Sequence, residues 1–348
     1  MRLLFLGDVV GKSGRDAVAS RLPGLIDRYN LDFVVINGEN ASHGRGLIEA
    51  HFGDLRAAGA DVVTLGDHAF DQRDTLSYIA REPTLIRPIN MPAETPGRGA
   101  NLIAGRNGQQ VLVINALGRV FMDPIDDPFR AVEAAIAAAP LHEQADAVIV
   151  DFHTEATSEI QGMGFFLDGR ATLVVGTHTH IPTSDHRILK GGTALMADAG
   201  MCGDYDSIIG VEPDEPLTRF LTGIANGRFT PAEGEATLCG VIVETDPATG
   251  LAVRAEPLRI GGVLAQVLPE FDERSDGGMP LIPAENAAIS SREYFAWRRF
   301  VPGLSNTSPV SGRQSFAGRI GRETNPPPQL GQTLWSTVST QLRQNVHS

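Results

Sequence analysis

Five short polar clusters each end or follow an apolar run of the sequence, and together they supply carboxylates, an amide and imidazoles. Two metal ions about 3.5 to 4 Å apart need bridging ligands and an activated water, with side chains that converge from separate strands. The clusters therefore predict a two-metal hydrolase. They are Gly7-Asp8, Gly38-Glu39-Asn40, Gly66-Asp67-His68, Asp151-Phe152-His153 and Gly176-Thr177-His178-Thr179-His180.

Seven short apolar runs, several of them rich in β-branched residues, predict the buried strands that position these clusters. Helical patterns over residues 16–29 and 48–58 separate the first three runs, and this βαβαβ order predicts a parallel sheet covered by helices. In such sheets ligands bind beyond the carboxyl ends of the strands, where the polar clusters lie. The predicted strands are residues 3–6, 33–36, 62–65, 111–114, 148–150, 173–175 and 194–196.

The first two clusters offer oxygen ligands. Asp8 is a candidate hard anionic ligand, and the alternative is an aspartate that caps the next helix. Lys12 and Arg15, in the glycine-bearing segment that follows, are candidate phosphate contacts, although this segment matches neither dinucleotide-binding nor P-loop patterns. Glu39 and Asn40 share one tight turn, so they can ligate a metal together, and a carboxylate can bridge two ions. An ordinary polar turn is the alternative there.

The third cluster places a carboxylate and an imidazole side by side. One of them can bind metal while the other serves the chemistry, and His68 is the candidate general acid, oriented by Asp71. A hydrogen-bonded structural histidine is the alternative. His178 and His180 are the sharpest local signal, because strand alternation would turn both imidazoles to the same side. His153 on the preceding strand strengthens this prediction of a metal site.

Composition limits the class of protein. The chain has 348 residues, 42% of them hydrophobic, which is enough for a large α/β domain with an appendage. A net charge of -13 disfavours binding to long nucleic acid. The two cysteines, Cys202 and Cys239, cannot form a disulfide framework, and neither a signal peptide nor a membrane span is recognisable. The sequence thus predicts a cytoplasmic protein without a membrane partner, and a homo-oligomer is compatible with it.

The last part of the chain has a different character. Residues 237–244 and 251–258 flank a turn-rich connection and predict an antiparallel hairpin that closes a catalytic domain of residues 1–268. From residue 269 to residue 348 periodicity fades while Pro, Gly, Ser, Gln and Asn accumulate, which predicts a disordered or loosely docked tail. An aromatic and basic patch at residues 294–300 interrupts it.

At the clusters the chain resembles the calcineurin-like metallophosphoesterases, specifically the YmdB-like family of 2′,3′-cyclic-nucleotide 2′-phosphodiesterases. The resemblance covers residues 1–265 and excludes the tail. It rests on ordered motifs, namely GDVVGKSGR, INGENA, GDHAFD, RPIN, VDFHTEATSE, DGR, GTHTHIPTSD and DAGMCGDYDSIIG.

The resemblance implies an α/β fold with four layers, an α/β/β/α sandwich, and two metal ions at one edge. One ion would be held by Asp8, Glu39, Asn40 and His180, and the other by Glu39, Asp67, His153 and His178, so that Glu39 bridges them. His68 would be the proton donor beside the metals. The ligand set suits divalent or mixed-valence iron, alternatively manganese or zinc.

The sequence departs from the family at Asp67, where an asparagine usually stands. The extra negative charge should retain metal more tightly while making the cluster less attractive to an anionic phosphodiester and its bridging water less acidic. We therefore expect an Asp67→Asn variant to lose metal more readily.

The predicted reaction is hydrolysis of small phosphodiesters, foremost 2′,3′-cyclic nucleotides to 3′-nucleotides. A metal-activated hydroxide would attack phosphorus while His68 protonates the leaving oxygen. Two alternatives remain: a phosphomonoesterase that acts on nucleotides, and a regulatory protein that keeps metals for stability with little catalysis. The free imidazole of His68 argues against the second.

Overall fold

A computed structural model of the protein describes residues 1–271. The predictions for the tail, including its aromatic and basic patch, lie outside the described residues, and the domain boundary at residue 268 stays a prediction. Within residues 1–271, no helix has the length and apolar content needed to cross a membrane.

Two sheets form the centre of the described unit. The eight-stranded sheet has the order β2-β12-β13-β1-β3-β4-β5, with β14 paired to β13. Its strands are β1 (Arg2–Leu6), β2 (Asp8–Val9), β3 (Phe33–Asn37), β4 (Val62–Thr64), β5 (Leu85–Ile86), β12 (Met201–Asp204), β13 (Ala236–Thr245) and β14 (Ala252–Ile260). The six-stranded sheet has the order β10-β11-β9-β8-β7-β6. Its strands are β6 (Ala100–Ala104), β7 (Gln110–Leu117), β8 (Ala147–His153), β9 (Leu173–Thr177), β10 (Arg187–Ile188) and β11 (Ala194–Met196).

Alternating apolar side chains pack the two sheets against each other and against the helices outside them, which gives four layers. Leu3 and Phe5 point from β1 into the core between the two sheets, where they join Val113 of β7 and Ile149 of β8. Leu4 and Leu6, on the other face of β1, pack in the core beneath the two helices α1 (Gly11–Tyr29) and α2 (Glu49–Ala58). The predicted α/β/β/α sandwich is confirmed on this side.

The second sheet is covered in the same way. Val150 of β8 shares a core with Ile136 of α4 (Pro128–Ala138) and Met163 of α5 (Thr157–Phe166). Two shorter helices, α3 (Thr75–Tyr78) and α6 (Asp214–Thr222), complete the described elements. All seven predicted strands are present, and the predicted hairpin is the antiparallel β13–β14 pair.

The parallel pairing of β1 with β3 and of β3 with β4 confirms the predicted βαβαβ opening. Helix α1, however, begins at Gly11 rather than at residue 16. Gly14 lies in the first helical turns, where a Cβ would overlap with the carbonyl oxygen of Cys202 on β12. The residue therefore allows close contact between helix and strand.

Candidate metal centre

The carboxyl ends of four parallel strands and the short strand β2 bring the predicted site residues to one edge. Asp8 lies in β2, directly after β1; Glu39 and Asn40 follow β3; and Asp67 follows β4. From the second sheet, His153 is the last residue of β8, and His178 and His180 follow β9. The site therefore lies where the two sheets meet, and neither sheet alone carries all of it.

Four of these residues form a tight group. One ligand atom from each of Glu39, Asp67, His153 and His178 lies within 4.8 Å of the other three. His153 Nε2 is 3.1 Å from Glu39 Oε1 and 3.0 Å from Asp67 Oδ1, while His178 Nδ1 is 3.1 Å from His153 Nε2. Two carboxylates and two imidazoles aimed at one point are a ligand set for a divalent transition metal.

The pKa values of Asp67 and His178 are strongly shifted within this group. Burial alone would raise the pKa of Asp67, but hydrogen bonds with His153 and His178 hold it well below its usual value. Burial alone would lower the pKa of His178, yet its bonds to Asp67 and Glu155 raise it to about 9. Because ligating imidazoles must give up these protons, metal uptake should release protons and strengthen as pH rises.

Two buried oxygens beside the group lack a hydrogen-bond partner among the described residues. Asp8 Oδ2 accepts a hydrogen bond from the backbone N–H of His178 at 3.3 Å, whereas its Oδ1 accepts none. Asn40 donates through Nδ2 to the carbonyl of Gly44 at 3.2 Å, and its Oδ1 likewise accepts no hydrogen bond. Buried oxygens without such a bond cost free energy, so two of them at one edge fit a bound cation.

His180 has a defined tautomer. Its Nδ1 lies 2.8 Å from the carbonyl oxygen of Ile209, which can only accept, so Nδ1 carries the hydrogen and Nε2 keeps its lone pair. Burial lowers the pKa of His180, outweighing the carbonyl and the nearby carboxylates of Asp198 and Glu39. The ring is therefore neutral, which is the form that binds metal.

The prediction that strand alternation positions His178 and His180 is wrong. β9 ends at Thr177, and both histidines have left-handed backbone conformations, with φ of 108° and 66°. Such conformations cost on the order of 1–3 kcal/mol for residues other than glycine. Asp198 supports the loop, because its Oδ2 accepts hydrogen bonds from the backbone N–H and the hydroxyl of Thr179 at 3.0 and 2.7 Å.

His68 lies beside the group of four rather than in it. Its Nδ1 is 3.0 Å from Asp71 Oδ2, as the sequence predicted, and its Nε2 is 4.0 Å from Asp67 Oδ2. Burial alone would lower the pKa of His68, but the bond to Asp71 and the charges of Glu39 and Asp67 raise it. The raised pKa favours the protonated ring, and Nε2 is the nitrogen that faces the site.

The two candidate phosphate contacts near Asp8 have other partners. Lys12 forms an exposed ion pair with Asp16, and Arg15 donates to the carbonyl oxygen of Ala41. Arg15 therefore holds the turn that carries Glu39. Sequence reasoning also missed Glu155, whose Oε2 is 3.3 Å from His178 Nε2, although it belongs to one of the recognised motifs.

Gly66 gives a direct test of how tightly the site is built. A Cβ at this position would overlap with Glu39 Oε2 and lie 2.6 Å from His153 Cδ2. We expect Gly66→Ala to displace one or both ligands, lower the metal content and destabilise the fold by about 1–3 kcal/mol. Metal analysis and thermal unfolding would measure both effects.

Gly53→Ala is the matched control, because a Cβ there meets nothing within 4 Å and the residue lies in α2. This variant should keep its metal and gain about 0.5–1 kcal/mol of stability. A Gly66→Ala protein with full metal content would mean that the ligands do not pack as described.

The chain is similar to known proteins over most of its described residues. A family model described as YmdB-like protein matches residues 4–258. A Bacillus subtilis (strain 168) protein named 2′,3′-cyclic-nucleotide 2′-phosphodiesterase is 45% identical over 260 residues, covering 75% of this chain and 97% of that protein.

Two solved structures share the fold. A hypothetical protein from Thermus thermophilus is 41% identical with a TM-score of 0.70, covering 76% of this chain and 100% of that one. A protein from Mycoplasma pneumoniae described as a novel phosphatase is 33% identical with a TM-score of 0.69, covering 75% of this chain and 93% of that one.

Proposed function

The chain belongs to the YmdB-like protein family, and from that premise we propose that it hydrolyses 2′,3′-cyclic nucleotides to 3′-nucleotides with two bound metal ions. The relative from Bacillus subtilis, 45% identical, supports the substrate class. The observation that carries the proposal is the convergence of buried Glu39 and His153 with partly buried Asp67 and His178.

Seven residues would hold the metals. Asp8, Glu39, Asn40 and His180 would bind one ion, and Glu39, Asp67, His153 and His178 the other. The buried oxygens of Asp8 and Asn40 that accept no hydrogen bond and the free Nε2 of His180 support the first set, and the short mutual distances support the second. Carboxylate, amide and imidazole ligands suit iron, with manganese or zinc as alternatives.

When bound, the metals would supply polarisation of the phosphoryl oxygens and an activated water. The chain itself supplies the proton. With Asp71 accepting from Nδ1 of His68, the transferable proton lies on Nε2. Water forms a bond to phosphorus, the bond from phosphorus to the 2′ oxygen breaks, and His68 protonates that oxygen as it leaves. The product is a 3′-phosphate.

A phosphomonoesterase that acts on nucleotides is the second candidate. It is favoured by the similarity to the Mycoplasma pneumoniae protein described as a novel phosphatase. A regulatory protein with little catalysis is disfavoured, because a metal site kept only for stability needs no imidazole held as His68 is by Asp71. Absence of binding to long nucleic acid, homo-oligomer formation and a cytoplasmic location stay predictions from the sequence.

The order in which substrates are preferred distinguishes the phosphodiesterase from the phosphomonoesterase. The full chain is purified, analysed for iron, manganese and zinc, and assayed with 2′,3′-cyclic AMP, 3′,5′-cyclic AMP and nucleoside monophosphates. We expect the 2′,3′-cyclic nucleotide to be the best substrate and 3′-AMP to be the product. Faster turnover of monophosphates would favour the second candidate, and a chain inert with all three metals would refute both.

Asp67→Asn tests the departure from the family. The variant loses one negative charge at the point where His153 and His178 meet the carboxylate at 3.0 and 3.6 Å. We expect metal binding to weaken by about tenfold, equivalent to roughly 1.4 kcal/mol, while hydrolysis persists at saturating metal. Metal content after dialysis against a chelator measures this, and unchanged content would contradict it. Asp74→Asn, the same change on an exposed residue, is the control.

A further inference from the structure

The outer nitrogen of His153 has a buried partner that the proposed metal site does not include. Thr177 Oγ1 lies 2.8 Å from His153 Nδ1 and donates its hydrogen to Asp151 Oδ1 at 2.7 Å. A hydroxyl has one hydrogen to give, so the oxygen of Thr177 must accept from Nδ1–H of His153. Nε2 is then the nitrogen left to bind a cation, and it is the one that faces Glu39 and Asp67.

Asp151 is fixed from its other side as well. Its Oδ2 accepts from Asn37 Nδ2 at 3.1 Å, and the backbone N–H of Glu39 donates to Asn37 Oδ1 at 3.1 Å, which fixes the orientation of that amide. Asn37, Asp151, His153 and Thr177 are fully buried. A chain of hydrogen bonds therefore runs from the Glu39 turn on the first sheet to His153 on the second.

We propose that Thr177 and Asp151 are positioning residues that fix the tautomer and ring orientation of His153 for metal binding. This inference rests on the proposed function only in that it requires a bound metal. The other two imidazoles are held differently, His178 by the half-exposed Glu155 and His180 by the carbonyl of Ile209. His153 is the fully buried one of the three, so water cannot replace a lost acceptor there.

Thr177→Val tests the proposal, because valine keeps the shape and removes the acceptor. Partners of this kind contribute about 10- to 100-fold to metal affinity, so we expect the dissociation constants for Mn²⁺ and Zn²⁺ to rise by that factor. Thr177→Ser restores the hydroxyl and should come within about threefold of the wild type. Competition with a chelator measures the constants without reference to turnover.

Thr172→Val is the matched control. Thr172 is also fully buried, precedes β9 at the opposite end, and donates to the carbonyl of Gly250 at 2.6 Å. Its loss should lower thermal stability without changing metal affinity. Asp151→Asn is the second variant should Thr177→Val fail to fold. Its amide must turn an N–H toward Thr177 or Asn37, which breaks one end of the chain of hydrogen bonds. We therefore expect this variant to bind metal more weakly too.

The outcomes separate this inference from the proposed function. Wild-type affinity in both Thr177→Val and Asp151→Asn, or an equal loss in Thr172→Val, would overturn the positioning role even if the wild type hydrolyses phosphodiesters. Conversely, a Thr177-dependent metal affinity in a protein that hydrolyses no phosphodiester would support the positioning role and refute the proposed activity. A wild-type chain that takes up none of iron, manganese and zinc would overturn both.

Discussion

Glu39→Gln is expected to abolish turnover of 2′,3′-cyclic AMP and to leave the purified protein with little metal. Glu39 is the residue that both proposed metal sets share, and its carboxylate lies 3.1 Å from His153 Nε2 in a buried environment. Glutamine has almost the same shape but no charge. Removing one partner of a buried charge pair costs on the order of 3–5 kcal/mol, which corresponds to about 10²- to 10⁴-fold weaker binding.

Metal content per chain and initial rates at increasing metal concentration would measure this effect. Glu49→Gln is the control, because it makes the same chemical change on an exposed residue of α2 that pairs with Arg81. The variant should retain wild-type metal and activity. If Glu39→Gln bound two ions as tightly as the wild type, Glu39 could not be the shared ligand.

Much of the site could be predicted because its ligands follow strands, and buried strands are recognisable in the sequence as short apolar runs. Parallel strands place their carboxyl ends at one edge, so residues distant in sequence, such as Asp8, Glu39 and His153, could be assigned to one place. The pairing of a second sheet against the first was known only through the family resemblance. Apolar alternation does not say which sheet a strand joins.

The supporting contacts were beyond sequence reasoning for a physical reason. The carbonyl of Ile209 fixes His180, and Asp198 holds the loop of His178 through Thr179. Both residues belong to one recognised motif, but a motif does not say which backbone carbonyl or loop residue a side chain will contact. For the same reason the two histidines were wrongly assigned to strand alternation, when left-handed loop conformations position them.

His68→Ala should separate chemistry from metal binding. His68 lies outside the group of four ligands, so the variant should keep its metal. General acid catalysis contributes about 10²- to 10⁴-fold, and we expect kcat for 2′,3′-cyclic AMP to fall by that factor. Bis-p-nitrophenyl phosphate is the matched substrate, because its leaving group departs as a stable anion and needs no proton. The variant should be far less impaired with it.

The pH profile adds a second readout. A general acid must be protonated, so kcat falls as pH rises through the pKa of His68. Burial lowers this pKa, but the bond to Asp71 and the charges of Glu39 and Asp67 raise it overall. Asp71→Asn removes the hydrogen bond to the carboxylate and its charge, and this descending limb should therefore move to lower pH. An equal loss of rate on both substrates, or a limb that stays in place, would assign the proton to another group and leave His68 with a structural role.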